Sequence, residues 1–248
     1  MLSLLFVLHA ELAGAACSRV LRVPFEEWPP YSFTGSQQKP QGIEVDMLDA
    51  ITRQAGCTVQ WVPDLPRKRR WLYLQSGDID MLLAASDSGP AGERAAMFSK
   101  PYRHETISAF VMADSDRHTG LASLQHMLAH RVSVIGQTGG GGGFPMAEQF
   151  RAAGLLTRYE EYSHGLKLLQ ARRGEVLIGD RWAVEYAARA QDVRLRRLAF
   201  NVADGEVAYM LSRKTLSSAD LAAINSAIER LDANGTLARI RRRWMANL

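Results

Sequence analysis

Ser86, Asp87, Ser88 and Arg94 place two hydroxyls, a carboxylate and a guanidinium in one short stretch of the chain. They follow residues 79–85, an apolar run broken only by Asp80 and preceded by the turn pair Gly77-Asp78. A run of that kind, closed by Gly89 and Pro90, reads as a strand buried on both faces of a parallel sheet. Polar groups just past the carboxyl end of such a strand stand where open α/β sheets bind ligands. The Arg94 fork matches the two oxygens of a carboxylate, and the hydroxyls can fill its remaining lone pairs. Taken alone, an arginine in a loop is more simply a solvated charge. Asp87 and Glu93 are the acids available for proton transfer, but no nucleophile–base pair accompanies them. His126 and His130 share a helix face at i, i+4 spacing without a third ligand near them in sequence. Surface histidines are the expectation there, and no metal or cofactor is assigned.

Those side chains need a scaffold, and the hydrophobic pattern supplies one. Strands are expected at 20–23 and 58–62, each preceded by a cysteine, Cys17 and Cys57. Ile43, Met47 and Ile51 recur at helical spacing over 42–55, and Gly56 stops that helix. Pro66 opens the next helix at its first turn, followed by the basic run Arg67, Lys68, Arg69, Arg70. Residues 107–112 and 206–211 read as strands, 121–130 as a helix, and 131–136 as a strand. The glycines at 139–143 precede a helix over 144–153, where free N–H groups suit an anion. No Gly-Lys-Ser/Thr follows them, so this is not a P-loop. A helix over 163–173, the stop Gly174 and a strand over 176–179 ending in Asp180 repeat the order seen at 74–85: helix, Gly, acid, apolar strand, polar tip. Two lobes of one topology would produce that echo.

The run Gly77-Asp78-Ile79-Asp80, then Glu93-Arg94, then Phe98-Ser99-Lys100-Pro101-Tyr102 resembles the periplasmic solute-binding proteins of ABC importers, the amino-acid-binding, family 3 type. Trp28-Pro29-Pro30-Tyr31, Gly42-Ile43-Glu44-Val45-Asp46 and the ending Asp232-x-Asn234-Gly235-Thr236-Leu237 with Trp244 fit the same family. The resemblance implies that Arg94 holds the ligand's carboxylate, that Trp28 or Tyr31 stacks on the ligand, and that the Thr138 hydroxyl touches it. It also implies that Asp180 meets the α-amino group. Ser86 and Ser88 line the same tip, and Arg70 matches a Pro-x-x-Arg element of a subgroup. The turn before Arg94 is longer than the family's, which bears on the placement of that residue. Glu44 and Asp46 lie in a first helical turn, where acids suit the helix dipole.

The totals agree with such a protein. Hydrophobic residues make up 47%, charged residues 23%, and the net charge is +4 over 248 residues. That excess of base is too mild to argue for nucleic acid, and no zinc-finger, RRM or helix-turn-helix signature is present. The arginines at 239, 241, 242 and 243 read as the solvated face of a terminal helix. Residues 1–16 are small and apolar and end Ala13-Gly14-Ala15-Ala16, which reads as a cleavable export signal despite His9, Glu11 and the missing basic residue near Met1. Gly14 argues against a lipid on Cys17. In an oxidising compartment a Cys17–Cys57 bridge is expected, since the two residues open adjacent parallel strands; inert buried thiols are the alternative.

The expectation is an α/β chain of the two-lobed type II binding-protein fold, with two hinge strands and an interlobe cleft. Lobe one takes residues 17–108 and 209–248, lobe two residues 109–208. The expected role is capture of an amino acid or related zwitterion in the periplasm by a monomer, and delivery to ABC importer membrane subunits. No enzyme activity is expected. A prephenate-type dehydratase on the same fold, or a sensor serving a membrane receptor, are the alternatives.

Overall fold

The computed structural model describes residues 17–63, 65–66, 69–85, 96–137 and 143–246. The expected export signal at 1–16 lies outside them. The strands are β1 (Leu21–Pro24), β2 (Phe33–Thr34), β3 (Pro40–Gln41), β4 (Val59–Val62), β5 (Met81–Ala85), β6 (Ala96–Phe98), β7 (Arg103–Met112), β8 (Val134–Gly136), β9 (Leu156–Arg158), β10 (Val176–Asp180) and β11 (Leu195–Ser212). The helices are α1 (Ile43–Ala55), α2 (Arg70–Ser76), α3 (Leu124–Ala129), α4 (Ala147–Ala152), α5 (Tyr162–Gln170), α6 (Arg181–Ala190), α7 (Ser218–Ala233) and α8 (Thr236–Met245).

β1 and β4 pair in parallel, with Leu21 opposite Val59 and Pro24 opposite Val62. Just ahead of this pair Cys17 and Cys57 are disulfide-bonded, their Cα atoms 4.9 Å apart. A larger sheet runs β5-β11-β7-β10-β8-β9, with β6 also on β11. β7 and β11 are antiparallel along most of β7, with register shifts near Asn201. These two strands are the hinge: β11 carries Tyr209 and Leu211 into one core and Leu198 into another, and β7 follows Tyr102 of the first core with Ala109 and Val111 of the second. One core gathers Leu21, Ile43, Met47, Ile51, Met81, Tyr209, Ile224 and Leu237. In the other lobe β10 is buried on both faces, Val176 and Ile178 on one side with Val134 and Phe150, Leu177 on the other with Leu166 and Val184. That split explains why residues 176–178 read as an unbroken apolar run instead of an alternating one.

Several boundaries differ from the sequence expectation, each for a local reason. The helix expected at 144–153 starts at Ala147, because Met146 has φ 65, a left-handed conformation that ends a helix. The helix expected at 121–130 starts at Leu124, where the Ser123 hydroxyl accepts from the His126 N–H. Of the helix expected from Pro66, Arg70–Ser76 forms α2, while residues 67 and 68 lie outside the described residues. The strand expected from Ile79 starts at Met81, after Asp80 has turned its carboxylate to Arg22. The return strand, expected at 206–211, begins at Leu195. Its middle is exposed around Asp204, Gly205 and Glu206, and Thr106 and Asn201 donate to Asp204 at 2.7 and 2.9 Å. Leu198, Phe200 and Val202 do alternate into the second lobe's core, and the exposed break at 204–206 cuts that period off from the run at 207–211.

Candidate functional site

The loop after β1 and the tip of β10 meet between the lobes. Gly42 has φ 133, and a Cβ there would stand 2.2 Å from the Tyr31 carbonyl oxygen. Glycine therefore lets the start of α1 clamp the loop, with Glu44 N donating to the Tyr31 carbonyl at 2.8 Å. The loop carries Trp28 and Tyr31 with their rings stacked, centroids 4.2 Å apart. On the other side Gly179 admits the Tyr159 hydroxyl and the Tyr162 ring, which a Cβ would meet at 2.6 Å. Asp180 follows and caps α6, its Oδ1 accepting from Ala183 N at 2.8 Å. The Tyr31 hydroxyl donates to the same Oδ1 at 2.8 Å. Tyr31 also lies over Trp182, centroids 6.3 Å apart, and Phe33 meets Tyr186 at 6.0 Å. One hydrogen bond and two ring contacts thus tie lobe one to α6.

The two aromatics divide the work that the sequence left open between them. Tyr31 is fully buried. Trp28 lines a cavity of about 490 Å³ between the lobes, with Glu27, Gln137, Glu160, Tyr162 and Tyr186 among its walls.

Behind the pair sits Arg103, at the start of β7 and with a fully buried side chain. Its guanidinium carbon is 4.5 Å from the Tyr31 ring centre and 5.8 Å from that of Trp28, cation–π range for both. Nε donates to Glu44, and Nη1 donates to Glu105 at 3.3 Å. Glu44 also accepts from the Tyr102 hydroxyl at 2.5 Å, and that hydroxyl accepts from Ala84 N at 3.1 Å. Burial works against the Arg103 charge, but Glu44 and the neighbouring acidic groups outweigh it and hold the guanidinium above its ordinary range. Asp180 is pushed the other way, up to about 7, by burial first and then by Glu105; the Ala183 N–H, Arg103 and Tyr31 oppose the shift. Burial and the nearby Asp180 carboxyl raise Tyr31 well above the usual phenol value.

The remaining expected residues are placed as follows. Arg70 is engaged within lobe one: it pairs with Glu26 and donates from Nε to the Leu65 carbonyl at 3.4 Å. Arg94, Ser86, Ser88 and Thr138, with Asp87, Glu93 and the glycines at 139–142, lie outside the described residues. Glu44, expected to serve the helix dipole, is buried in the ion pair with Arg103; Asp46 accepts from Arg243 and from Trp244 Nε1, both at 2.6 Å, and so fastens α8. Arg103 was not singled out by the sequence reading. Its signal was a charged residue immediately after the Phe98–Tyr102 motif, in phase with Glu105 and Ile107 on one strand face. His126 and His130 contact each other edge to face at 4.3 Å, and no group of three or more potential metal ligands occurs among the described residues. No described helix is long and apolar enough to cross a membrane.

Residues 21–247 match the profile of the bacterial extracellular solute-binding proteins, family 3, and the chain belongs to that family. No curated protein matches the sequence. Among solved structures it is similar to a histidine kinase sensor domain that itself resembles periplasmic binding proteins, with 22% identity, TM-score 0.74, and 92% of this chain and 96% of that one covered. It is similar to a mutant of ArgBP from T. maritima, with 18% identity, TM-score 0.72, and coverage of 92% and 95%. It is also similar to an ABC uptake transporter substrate binding protein from Streptococcus pneumoniae with bound histidine, with 18% identity, TM-score 0.69, and 92% of each chain covered. At these identities the likeness is one of fold: the two-lobed type II binding-protein architecture.

Proposed function

We propose that the chain captures a small amino-acid-like zwitterion between its lobes, outside the cytoplasm, and hands the closed form to the membrane subunits of an ABC importer. The observation that carries this reading is the buried tip of β10, where Asp180 is met by Tyr31 across the cleft beside a cavity walled by Trp28. A ligand that contacts both lobes favours the closed form by its differential affinity for it. The division we propose, residues 17–108 with 209–248 against 109–208, is supported by the cores, whose buried members come from those stretches apart from Ala183. Arg94 is assigned the ligand's carboxylate and Asp180 its ammonium. The sensor-domain relative supports a second use of the same capture, in which the closed form is read by a membrane receptor.

A thermal-shift screen over amino acids, opines, polyamines and small carboxylates identifies the ligand, because one that binds only the native state raises apparent stability. Calorimetry with that ligand then tests the anchor. Arg94→Ala is expected to weaken binding by ~30-fold to several-thousand-fold, the range for removing one partner of a desolvated charge pair. Asp180→Asn, which keeps the capping oxygen, is expected to lose affinity as well. A change below about threefold in Arg94→Ala would remove it from the site. Pull-down from membranes with and without ligand separates importer from receptor.

A further inference from the structure

Three carboxylates, of Glu27, Glu160 and Glu161, line the cavity between the lobes, against one cation, Lys167. Glu160 and Glu161 are exposed, and no described residue pairs with their carboxylates. Exposed acids by themselves are solvated charges and make no site. Here they share a wall with aromatic rings: Trp28 from lobe one, Tyr162 of α5 and Tyr186 of α6 from the other. That wall is joined to the buried tip of β10 from both lobes. The Tyr162 hydroxyl accepts from Asp180 N at 3.3 Å, and Trp28 stacks on Tyr31, whose hydroxyl donates to Asp180. A ligand anchored at that tip has this cavity beside it for its side chain.

Gln137, just past the end of β8, decides what the cavity takes. It is only 8% exposed, yet it lines the cavity. Its Nε2 donates to the Glu160 carbonyl at 2.9 Å, which leaves Oε1 as the free end of the amide. Oε1 accepts from no described residue. It is not among the four side-chain polar atoms sealed away without a partner, which belong to Arg103, Ser108, Tyr209 and Thr215. It is therefore an unpaired acceptor with a face open to the cavity that Gln137 lines. Leaving a largely buried amide oxygen unpaired is unfavourable, so it selects a donor. The wall as a whole asks for a group that donates hydrogen bonds, offsets carboxylates and lies against ring faces. A guanidinium or an ammonium does all three. An acidic end would add a fourth negative charge, an aliphatic end would leave Oε1 unpaired, and a neutral amide would leave the acids uncompensated. We propose that this cavity is the subsite for the ligand's side chain and takes a cationic end, its N–H groups shared by Gln137 Oε1 and the Glu160 and Glu161 carboxylates, so that the preferred ligand is a basic amino acid. This inference rests on the proposed function and deepens it, since Arg94 and Asp180 are assigned only to the groups every amino acid shares.

The test is calorimetry on the full chain with L-arginine and L-citrulline, L-lysine and L-norleucine, L-glutamate, and agmatine, which is arginine without its carboxylate. In each of the first two pairs the second ligand keeps nearly the same shape and loses the side-chain charge. Wild type is expected to bind L-arginine at least ~10-fold more tightly than L-citrulline, and L-lysine more tightly than L-norleucine. Glu160→Gln combined with Glu161→Gln changes two exposed side chains and spares the fold; the arginine-to-citrulline ratio should fall to within about threefold. Gln137→Met, which removes the acceptor, should lower the same ratio. Because the readout is a ratio within one protein, a general loss of stability does not imitate it. A wild type that binds citrulline or glutamate as tightly as arginine, or norleucine as tightly as lysine, overturns the inference and leaves the proposed function standing. So does a ratio unmoved in both variants. Agmatine bound as tightly as arginine supports the cationic subsite and overturns the carboxylate anchor of the proposed function instead. Binding of none of the six overturns both.

Discussion

Asp80 and Asp180 are both buried at ends of strands in the same sheet, yet their surroundings treat them oppositely. Asp80 precedes β5 and receives Arg22 three times over: its main-chain N–H at 2.8 Å, Nε at 2.9 Å and Nη2 at 2.9 Å. Burial alone would raise Asp80, but the side-chain and main-chain hydrogen bonds from Arg22 outweigh it and hold the carboxyl below its usual range. Asp180 closes β10 and receives a phenol and one N–H, neither of them charged. Its carboxyl sits near 7. One acid is finished by its own fold; the other is buried without a dedicated cation. A solute-binding site needs an unfinished acid of the second kind, whereas a fastening needs the first.

Four measurements break or sharpen that contrast, the largest expected effect first. Asp80→Ala leaves the mostly buried Arg22 without its partner and should lower the unfolding free energy by ~4 kcal/mol in urea titrations, in the range for breaking a buried pair. Cys57→Ser opens the other fastening at the start of β1 and should lower it by about 3 kcal/mol by the same measurement. Asp220→Asn removes a carboxylate held down to about 2, because hydrogen bonds from Ser18 and Ser217 outweigh its burial. Its contribution is present above the ordinary carboxylate value and is lost as pH falls toward 2. Acid denaturation of the variant should therefore lack ~2 kcal/mol of wild-type stability at pH 7. Asp180→Asn should act in the opposite direction. A carboxyl raised in the folded state supports folding at low pH and loses that support as pH rises through about 7. The variant's stability relative to wild type should therefore climb between about pH 4 and 7 and level off above. Equal pH dependence in the two proteins would mean that Asp180 is as well compensated as Asp80.

What was readable in advance follows the same division. The α1 period and its Gly56 stop, the disulfide, and the apolar run ending at Asp180 each depend on neighbours a few residues away or on a motif that repeats in the family. The Glu44–Arg103 pair depends on two residues 59 positions apart, and each one alone reads as a solvated charge. Nothing local marks Arg103 as buried; its burial follows from Glu44 pairing with it and from Tyr31 and Trp28 packing on its guanidinium. The separate roles of Trp28 and Tyr31 likewise appear only once α6 supplies Trp182 and Asp180 as partners. The early start of β11 escaped although Leu198, Phe200 and Val202 alternate into the second lobe's core, because the exposed Asp204, Gly205 and Glu206 separate them from residues 207–211.

The bond from Ser18 N to Asp220 Oδ1 joins residues 202 positions apart, and it carries a kinetic consequence. The second lobe's cores use residues between Ile107 and Val202 only, so they can consolidate as soon as that stretch is available. The first core needs Ile224, Ile228, Leu231 and Leu237 to close over Leu21 and Met47. Loops that long close late, because their entropy must be surrendered before any contact rewards it. During vectorial emergence the second lobe therefore matures first, while β1 and α1 wait with an unsealed apolar face. That interval is when the chain is most open to aggregation and to assistance by a holding chaperone.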